Sequence, residues 1–256
     1  MRNISDMRQL VDRIDLVTDE KELQKVMISI GPDKISRPAQ VAFVNAHAFN
    51  HACSNDSFRN DLLESDYIFR DGSGMKILYK MMEQDPGLNL NGTDLIPRII
   101  KLYSGRKAAL LGTENPYLER AAETFRSEGV EPVLVMDGFQ GDEAYLDAAV
   151  NTPAPLIILA MGMPKQERVA SLLARHLDYP CLIICGGAIL DFLGGKVRRA
   201  PVAFRRIGME WLYRFMLEPK RLFRRYMVGN FIFLCRGYRL AGSSKKARAE
   251  ELMTEG

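Results

Sequence analysis

The stretch PLIILAMGMPKQERVASLLARHLDYPCLIICGG, residues 155–187, has two short apolar runs on either side of a segment with helical periodicity. The runs PLIILAM and PCLIIC are rich in isoleucine and leucine, which is typical of strands buried on both faces. Two such strands joined by a helix form the unit from which parallel sheets are built. This stretch therefore predicts an α/β fold.

The same alternation of apolar runs and amphipathic segments extends through most of the chain. Four further strands are predicted at VAFVN (41–45), YIFRD (67–71), KAALLG (107–112) and EPVLVM (131–136). Helical periodicity follows these runs, as in PYLERAAETFRSEG after KAALLG. We therefore expect a doubly wound, mostly parallel sheet that is covered by helices on both faces.

Three regions of the chain differ in pattern. Residues 1–38 form a leader with one helix predicted from about Asp19 to Ile30, residues 39–197 carry the strands of an α/β core, and residues 198–256 form a basic helical appendage. The net charge of the whole chain is +3, yet residues 196–249 contain 15 Lys and Arg against two acids. A basic C-terminal region on an acidic body predicts an anionic partner.

An anionic membrane surface is favoured over nucleic acid as that partner. Basic residues of the appendage alternate with apolar runs such as FIFLC, as in helices that lie in a membrane interface. An ordinary packed helix pair with a solvated basic face is the alternative. The N-terminal stretch MRNISDMRQLVDRIDL lacks the apolar core of a signal peptide, and no apolar run approaches the length of a membrane span. We expect a cytoplasmic protein that is peripheral on the inner face of the membrane and binds no nucleic acid.

Polar residues and glycines follow the predicted strands directly. Ligands of such sheets bind at the carboxyl ends of the strands. This rule selects as candidate binding residues Asn45, Asp71, Gly112 with Thr113, the stretch from Gly162 to Gln166, and Gly186 with Gly187. Glycines at these positions allow backbone amides and helix N-termini to approach a phosphate. Neither a G-x-G-x-x-G fingerprint nor a P-loop motif is present, so neither type of nucleotide site is predicted.

A series of short motifs occurs in one order between about residues 40 and 227. The motifs are FVNAHAF, FRDGSGM, NGTDL, LLGT, MDGF, AMGMPKQE, CGGAILDFLGGKVRRAP, GMEWLYR and EPKRLFRRY. The set resembles the WecG/TagA/CpsF family of bacterial glycosyltransferases. The resemblance implies a Rossmann-like core with a C-terminal helical appendage, and an inverting transfer from a UDP-sugar donor. It also implies an acceptor saccharide linked to undecaprenyl diphosphate at the cytoplasmic membrane face, and a role in making cell-surface polymers or exopolysaccharide.

The resemblance also implies roles for individual residues. Asp71 matches the base that takes the proton of the acceptor hydroxyl, whereas its position alone fits a helix N-cap equally well. Gln166 of PKQE matches a residue that contacts donor or acceptor, and Asn45 matches the asparagine of the family's T-x-N motif. Two positions depart from the family pattern. Phe43 replaces the threonine of T-x-N, and Asn89, which we include among the substrate-binding candidates, replaces a frequent arginine.

The positive charge required at a diphosphate is expected from arginines. The chain has no D-x-D motif, the acidic pair with which many nucleotide-sugar transferases hold a metal ion. The resemblance matches three positions to arginines that neutralise the diphosphate, namely Arg214, Arg221, and Arg224 or its neighbour Arg225. His47 and His51 are four residues apart, but no third ligand is evident, so no zinc site is predicted. We therefore expect a metal-independent enzyme without a cofactor.

A catalytically inactive, nucleotide-binding scaffold docked on the membrane is the alternative function. Phe43 and Asn89 favour it, because both depart from the family pattern. Sugar transfer from a UDP-sugar to a lipid-diphosphate acceptor separates the two functions. The sequence leaves open the donor sugar, the acceptor saccharide and the oligomeric state.

Overall fold

The computed structural model of the chain describes residues 4–202, 204 and 208–254. The side chains of Arg214 and Arg221 and those of residues 244–254 lie outside the described part. Two of the predicted substrate-binding arginines therefore have a described backbone position only.

Six strands form one sheet, and the neighbouring strands in it are parallel. The strands are β1 Ala39–Val44, β2 Tyr67–Arg70, β3 Lys107–Gly112, β4 Glu131–Met136, β5 Leu156–Ala160 and β6 Leu182–Cys185. Their order across the sheet is β2-β1-β6-β5-β3-β4. The predicted α/β class is confirmed, and the described sheet is wholly parallel where the sequence predicted a mostly parallel one.

Helices occupy the connections between the strands and both ends of the chain. Before β6 these are α1 Ile4–Asp12, α2 Glu20–Ser29, α3 Ala46–Ala52, α4 Asp56–Leu63, α5 Gly72–Met81, α6 Gly92–Leu102, α7 Tyr117–Ser127, α8 Asp142–Asn151 and α9 Lys165–His176. After β6 they are α10 Ile189–Leu193, α11 Glu210–Leu217, α12 Pro219–Phe223, a π-helical turn Arg224–Val228, and α13 Gly229–Thr254. Among the described residues, no helix is both long and apolar enough to cross a membrane.

The leader contains two helices where the sequence predicted one. The predicted helix α2 begins after Asp19, whose carboxylate accepts a hydrogen bond from Glu22 N at 2.9 Å. The Glu22 carboxylate in turn accepts one from Thr18 N at 2.7 Å, so the start of α2 is fixed by reciprocal capping. The helix that the sequence did not predict, α1, is short, and it buries Leu10 and Val11 against the core. Helices of this length depend on tertiary packing, which sequence propensity does not report.

Alternate residues of each strand face opposite sides of the sheet. On β1, Val41 and Phe43 pack with α2, α6, α7 and α10, whereas Ala42 and Val44 pack with α1, α3, α4, α5 and α13. Helices α8 and α9 cover the part of the second face formed by β3, β5 and β6. Because both faces of these strands are buried, the strands have continuous apolar sequences rather than an alternating pattern.

The first half of α13 is part of the packed fold. Phe233 and Leu240 are buried in the same cluster as residues of α1, α3 and α5, and the Phe233 ring meets Phe49 edge to face at 5.4 Å. Gly237 allows α13 to approach α5 closely, since a Cβ at this position would lie 3.1 Å from Leu78 Cδ1. The N-terminal half of this basic helix therefore has a fixed position beside the core.

The connections that follow the neighbouring strands β3 and β5 run in opposite directions. After β3 the chain passes through α7 to β4 at the sheet edge, and after β5 it passes through α9 to β6. Helices α7 and α9 lie on opposite faces of the sheet. Such a switch point opens a crevice at the carboxyl ends of the strands, where α/β proteins bind their ligands.

Candidate active site

A cleft of about 1310 Å³ lies at the carboxyl ends of the strands. The loop after each strand contributes at least one residue to its lining, including Asn45, Asp71, Thr113, Gly138, Gly162 and Gly186. The π-helical turn and α13 contribute another wall through Arg224, Arg225, Ile232 and Arg236. The cleft is therefore enclosed by the parallel sheet and the basic appendage together.

Asp71 follows β2 and lines the cleft. It occupies the N-cap position of α5, yet its carboxylate makes no capping hydrogen bond to that helix. Instead, Asp71 Oδ2 accepts a hydrogen bond from Asn45 Nδ2 at 3.3 Å. Helix capping, the alternative explanation for this aspartate, is therefore absent from the structure.

Asn45 uses both ends of its amide. Its Oδ1 accepts hydrogen bonds from His47 N and Ala48 N, each at 3.0 Å, and so caps α3. Because the oxygen must face the helix, the nitrogen is the end that donates to Asp71. The start of α3 thus determines which group meets the Asp71 carboxylate.

The turn that carries Asp71 is braced by Arg70 and Asn89. Arg70 is buried, and its guanidinium donates to three backbone carbonyls at 2.7 to 3.1 Å, those of Pro86, Gly72 and Gly87. Asn89 Oδ1 accepts a hydrogen bond from Gly72 N at 2.7 Å. Asn89 is exposed and is not among the described residues that line the cleft, so its role in this geometry is to support the turn. Direct substrate binding by Asn89 stays a prediction.

Gly112 and Thr113 turn the chain sharply at the end of β3. Gly112 has a φ of 150°, and a Cβ there would lie 2.4 Å from the Ala160 carbonyl, so only glycine fits. Thr113 has a φ of 47°, and its amide donates to Ala160 O at 3.2 Å. The Thr113 hydroxyl donates to Asp191, a second carboxylate that lines the cleft. The turn therefore brings Thr113 and Asp191 together at the switch point.

Three ion pairs hold the segment that follows α10 at the rim of the cleft. Lys196 Nζ lies 3.0 Å from Glu114 Oε1 and 3.6 Å from Asp191 Oδ1. Arg199 pairs with Asp94 in the first turn of α6. Partly exposed pairs of this kind contribute little to the free energy of unfolding. We therefore assign them only a local role, which is to set the position of this segment.

Gln166 joins the first turn of α9 to the loop after β6. Its Oε1 accepts a hydrogen bond from Gly187 N at 3.0 Å, and its Nε2 donates to Glu167 Oε1 at 2.8 Å. Gly186 N donates to Leu159 O at 2.7 Å. The amides of both glycines are thus engaged within the protein, so in this geometry the glycines provide space for a ligand rather than donors to it.

Glu167 is a buried acid directly behind Gln166. Only its Oε1 is engaged by Gln166, and Oε2 has no hydrogen-bond partner among the described residues. Burial raises the pKa of Glu167 to about 7, against the lowering effect of the hydrogen bond from Gln166. The charge of this acid therefore changes near neutral pH.

The loop after β4 presents an aromatic ring to the cleft. Phe139 lines the cleft with 73% of its surface exposed. Lys165 fixes the loop, because its Nζ donates to Gly138 O at 2.9 Å and to Gln140 O at 2.6 Å. The same ammonium lies 5.0 Å from the centre of the Tyr145 ring. An exposed ring on a fixed loop is a platform on which a planar ligand group can stack.

Arginines of the appendage reach the cleft from the π-helical turn. Arg224 is exposed and Arg225 is half-buried, and both line the cleft. Position 214 lies on α11 and position 221 on α12, but the predictions for Arg214 and Arg221 concern side chains outside the described part. Arg224 and its neighbour Arg225 are therefore the predicted arginines whose side chains the structure brings to the cleft.

The segment before α11 touches the turn that carries Asp71. Ser73 Oγ donates to Gly208 O at 2.9 Å. Helix α11 then packs on the π-helical turn, since the Trp211 ring lies 5.7 Å and the Phe215 ring 6.4 Å from the Tyr226 ring. These contacts connect α11 both to the turn that carries Asp71 and to the π-helical turn that carries Arg224 and Arg225.

Two histidines of α3 also line the cleft. Burial, with smaller effects from the charges of Arg225 and His51, lowers the pKa of His47 to about 4. Burial likewise lowers the pKa of His51. Both imidazoles are therefore neutral at neutral pH. Across the described part of the chain, no group of three or more His, Cys, Asp or Glu side chains is placed to hold a metal ion.

Several cleft residues were not selected from the sequence. Asp191 and Lys196 lie within CGGAILDFLGGKVRRAP, and Phe139 lies within MDGF, so these motifs contained the available signal. Arg236 lies outside every motif and reaches the cleft only because α13 packs against α3. No local sequence feature predicts such a contact.

The fold and the cleft together define a class of protein. Asp71, Asp191, an exposed aromatic ring and several arginines line one cleft along the carboxyl ends of a parallel α/β sheet. This combination suits group transfer from an anionic donor, with a carboxylate available as base.

The sequence pattern of the Glycosyl transferase WecG/TagA/CpsF family matches residues 9–247. The chain therefore belongs to this family and is a glycosyltransferase. Its relatives include N-acetylglucosaminyldiphosphoundecaprenol N-acetyl-beta-D-mannosaminyltransferases of Staphylococcus aureus strains NCTC 8325 / PS 47 and COL. Each of these is 24% identical over 218 residues, which span 81% of this chain and 82% of the relative.

The raised pKa of Glu167 predicts a pH-dependent effect of Glu167→Gln on stability. The pKa of 4.5 expected in the unfolded chain lies below the value of about 7 in the folded protein, so the folded wild type loses stability as the pH rises between them. The glutamine variant keeps the acceptor for Gln166 but carries no such penalty. We expect its advantage in free energy of unfolding to grow by on the order of 2–3 kcal/mol from pH 5 to pH 8, measured by urea denaturation.

The exposed Glu123→Gln variant on α7 is the matched control and is expected to follow the wild type at both pH values. An equal difference between Glu167→Gln and wild type at pH 5 and pH 8 would contradict the account of Glu167.

Proposed function

We propose that the protein transfers the sugar of a UDP-sugar to a saccharide carried on undecaprenyl diphosphate, with inversion at the anomeric carbon. The product would enter a cell-surface polymer or exopolysaccharide. One observation carries the proposal: the Asp71 carboxylate lines the cleft and accepts a hydrogen bond from Asn45 instead of capping α5. The names of the two Staphylococcus aureus relatives support this class of acceptor, because both specify a diphosphoundecaprenol-linked saccharide.

Asp71 acts as the general base in this mechanism. Its carboxylate takes the proton of the acceptor hydroxyl while the hydroxyl oxygen forms a bond to the anomeric carbon of the donor. The bond from that carbon to the β-phosphate oxygen breaks, and its electron pair leaves with UDP. Asn45 orients the carboxylate through its Nδ2. A single displacement of this kind inverts the anomeric configuration.

The nucleotide of the donor is proposed to bind at the switch point. A carboxylate commonly binds the ribose hydroxyls in α/β nucleotide sites, and Asp191 beside Thr113 is available for that role. Phe139 offers a ring on which uracil can stack. Gly162, where a Cβ would meet no atom within 4 Å, leaves room between this region and Asp71 for the diphosphate.

The positive charge for the leaving diphosphate is proposed to come from the appendage. Arg224 lines the cleft, and the bond from Ser73 to Gly208 holds the start of α11, the helix of Arg214, near the Asp71 turn. Guanidinium groups bind phosphate oxygens in bidentate fashion and carry their charge at any physiological pH. Catalysis without a metal ion is therefore part of the proposal.

The appendage is also proposed to bind the anionic inner face of the cell membrane. Five exposed apolar residues follow one another at spacings of three or four residues and form the apolar stripe: Phe223, Met227, Phe231, Leu234 and Tyr238. Exposed Lys220 and Arg239 are close to its two ends in sequence. Apolar burial in the interface and about 1 kcal/mol of attraction per basic residue are sufficient to hold a peripheral protein on anionic lipid.

The catalytically inactive scaffold stays the alternative function. It shares the nucleotide site and the membrane contact but performs no transfer. The geometry of Asp71 favours the enzyme, because its carboxylate lies in the cleft, is oriented by Asn45 and does not cap its helix, as a general base requires.

Replacement of Asp71 by asparagine tests the base. The amide cannot accept the hydroxyl proton, so we expect Asp71→Asn to lower kcat by about 10²–10⁴-fold while the Kd for UDP stays near that of the wild type. Transfer is measured from a panel of UDP-sugars to a short-chain polyprenyl-diphosphate-linked N-acetylglucosamine. Asp147→Asn, at an exposed position on α8, is the matched control with full activity. A kcat within a few-fold of wild type would remove Asp71 from the mechanism.

Removal of divalent ions tests the role of the arginines. We expect excess EDTA to leave turnover unchanged, because the appendage supplies the positive charge that the diphosphate needs. Initial rates are compared with and without EDTA under otherwise identical conditions. Complete loss of activity that Mg²⁺ or Mn²⁺ restores would show that the diphosphate is neutralised by a metal.

Two exposed rings of the apolar stripe provide a test of membrane binding. Burying each ring in the lipid interface contributes on the order of 1.5–3 kcal/mol. We therefore expect the double change Phe231→Ser and Tyr238→Ser to weaken sedimentation with phosphatidylglycerol-containing liposomes by about tenfold or more. Activity on a soluble acceptor should persist. Ile28→Ser, which removes an exposed apolar residue from α2, is the control, and equal binding by all three proteins would exclude this stripe as the membrane contact.

A further inference from the structure

The mechanism proposed above places Arg224 at the donor diphosphate and leaves a group of polar and basic residues on α3 and the appendage without a role. His47, Asn50, Arg225 and Arg236 line the cleft and are called the cationic wall here. Arg236 Nη1 donates to Asn50 O at 2.8 Å and to Asn50 Oδ1 at 2.9 Å, and Asn50 Nδ2 donates to Gly229 O at 2.7 Å. These bonds join α3 to α13 and fix the Arg236 guanidinium at the edge of the cleft.

The cationic wall lies toward the end of the cleft where Asp71 is located. Asn45 and Asp71 follow β1 and β2, whereas Thr113 and Phe139 follow β3 and β4 at the opposite side of the sheet. In an inverting displacement the acceptor approaches the anomeric carbon from the face opposite the leaving diphosphate. With the nucleotide over β3 and β4, the acceptor therefore lies over β1 and β2, where α3 and α13 are the adjacent helices.

We infer that the cationic wall binds the diphosphate of the lipid-linked acceptor, as a subsite distinct from the one that holds the diphosphate of the donor. The inference rests on the proposed function and adds the position of the acceptor to it. Arg225 and Arg236 supply guanidinium donors for charge-assisted hydrogen bonds to phosphate oxygens. His47, which is neutral, supplies an imidazole N–H that donates without adding charge.

The sequence of the appendage connects this subsite to the apolar stripe. Arg225 lies two residues before Met227, and Arg236 lies two residues before Tyr238. Arginines that line the cleft thus alternate with exposed apolar residues of the stripe along the same helical segment. Because residues two apart point to opposite sides of a helix, this segment presents the cationic wall to the cleft and the stripe to the proposed membrane. The polyprenyl chain of an acceptor whose diphosphate rests on the cationic wall would pass around the edge of this segment to reach the membrane.

Two soluble acceptors that differ only in their linker test the inference. N-acetylglucosamine is joined to a farnesyl chain either through a diphosphate or through an uncharged linker of the same length. We expect Arg225→Gln to raise KM for the diphosphate acceptor by about tenfold or more, and His47→Ala by roughly threefold. Both variants should keep KM for the uncharged acceptor and for the UDP-sugar within about twofold of wild type.

Arg126→Gln on α7 and His176→Ala on α9 remove the same residue types at exposed positions away from the cleft and should change no KM. If Arg225→Gln and His47→Ala instead raise the KM for the UDP-sugar, Arg225 and His47 belong to the donor site. If these two variants change no KM, the acceptor subsite is overturned. If Arg225→Gln does not fold, as judged by circular dichroism, His47→Ala decides between the same outcomes. If the wild type transfers sugar to neither the diphosphate acceptor nor the uncharged acceptor, the proposed function is overturned, and this inference with it.

Discussion

The parallel pairing of β1 with β2 is the constraint on which the rest of the site depends. Its register sets Val44 beside Arg70, so the two residues that come next, Asn45 and Asp71, leave the sheet side by side. The Asn45 oxygen caps α3 and its nitrogen therefore donates to the Asp71 carboxylate. One strand register, one helix cap and one hydrogen bond thus position the proposed base.

The remaining parts of the cleft are arranged around this pair by the order of the strands. Because the chain crosses from β2 to β3 at the far side of β5, the proposed nucleotide site and the base stand at different ends of one crevice. The appendage then packs against α3 and α5 on the side of the base, through Phe233 and through the bonds between Arg236 and Asn50. The appendage consequently contributes to the cleft wall and carries the exposed apolar stripe, and it is the region in which the basic residues of the sequence are concentrated.

Much of this arrangement could be predicted from the sequence, and the parts that could not share a physical reason. Strands buried on both faces have an unmistakable composition, and the rule for parallel sheets then locates Asn45, Asp71, Thr113 and Gln166 at strand ends without any structure. The sequence could not predict hydrogen bonds between residues that are distant along the chain. The amide of Gly187 is engaged by Gln166, and Asn89 supports Gly72, because segments about 20 residues apart along the chain meet there. Whether Asp71 caps α5 could be judged only from side-chain geometry, since an aspartate at this position is compatible with both a helix cap and a general base.

The central claim is that one displacement, assisted by Asp71, transfers the sugar. The most direct test is the anomeric configuration of the product, determined by proton NMR after transfer by the full chain from a UDP-sugar of known configuration. The account predicts a glycosidic linkage of the opposite configuration, with no sugar covalently attached to the protein during turnover. A linkage that retains the configuration of the donor would require two displacements and a nucleophile on the enzyme, and would contradict the role given to Asp71.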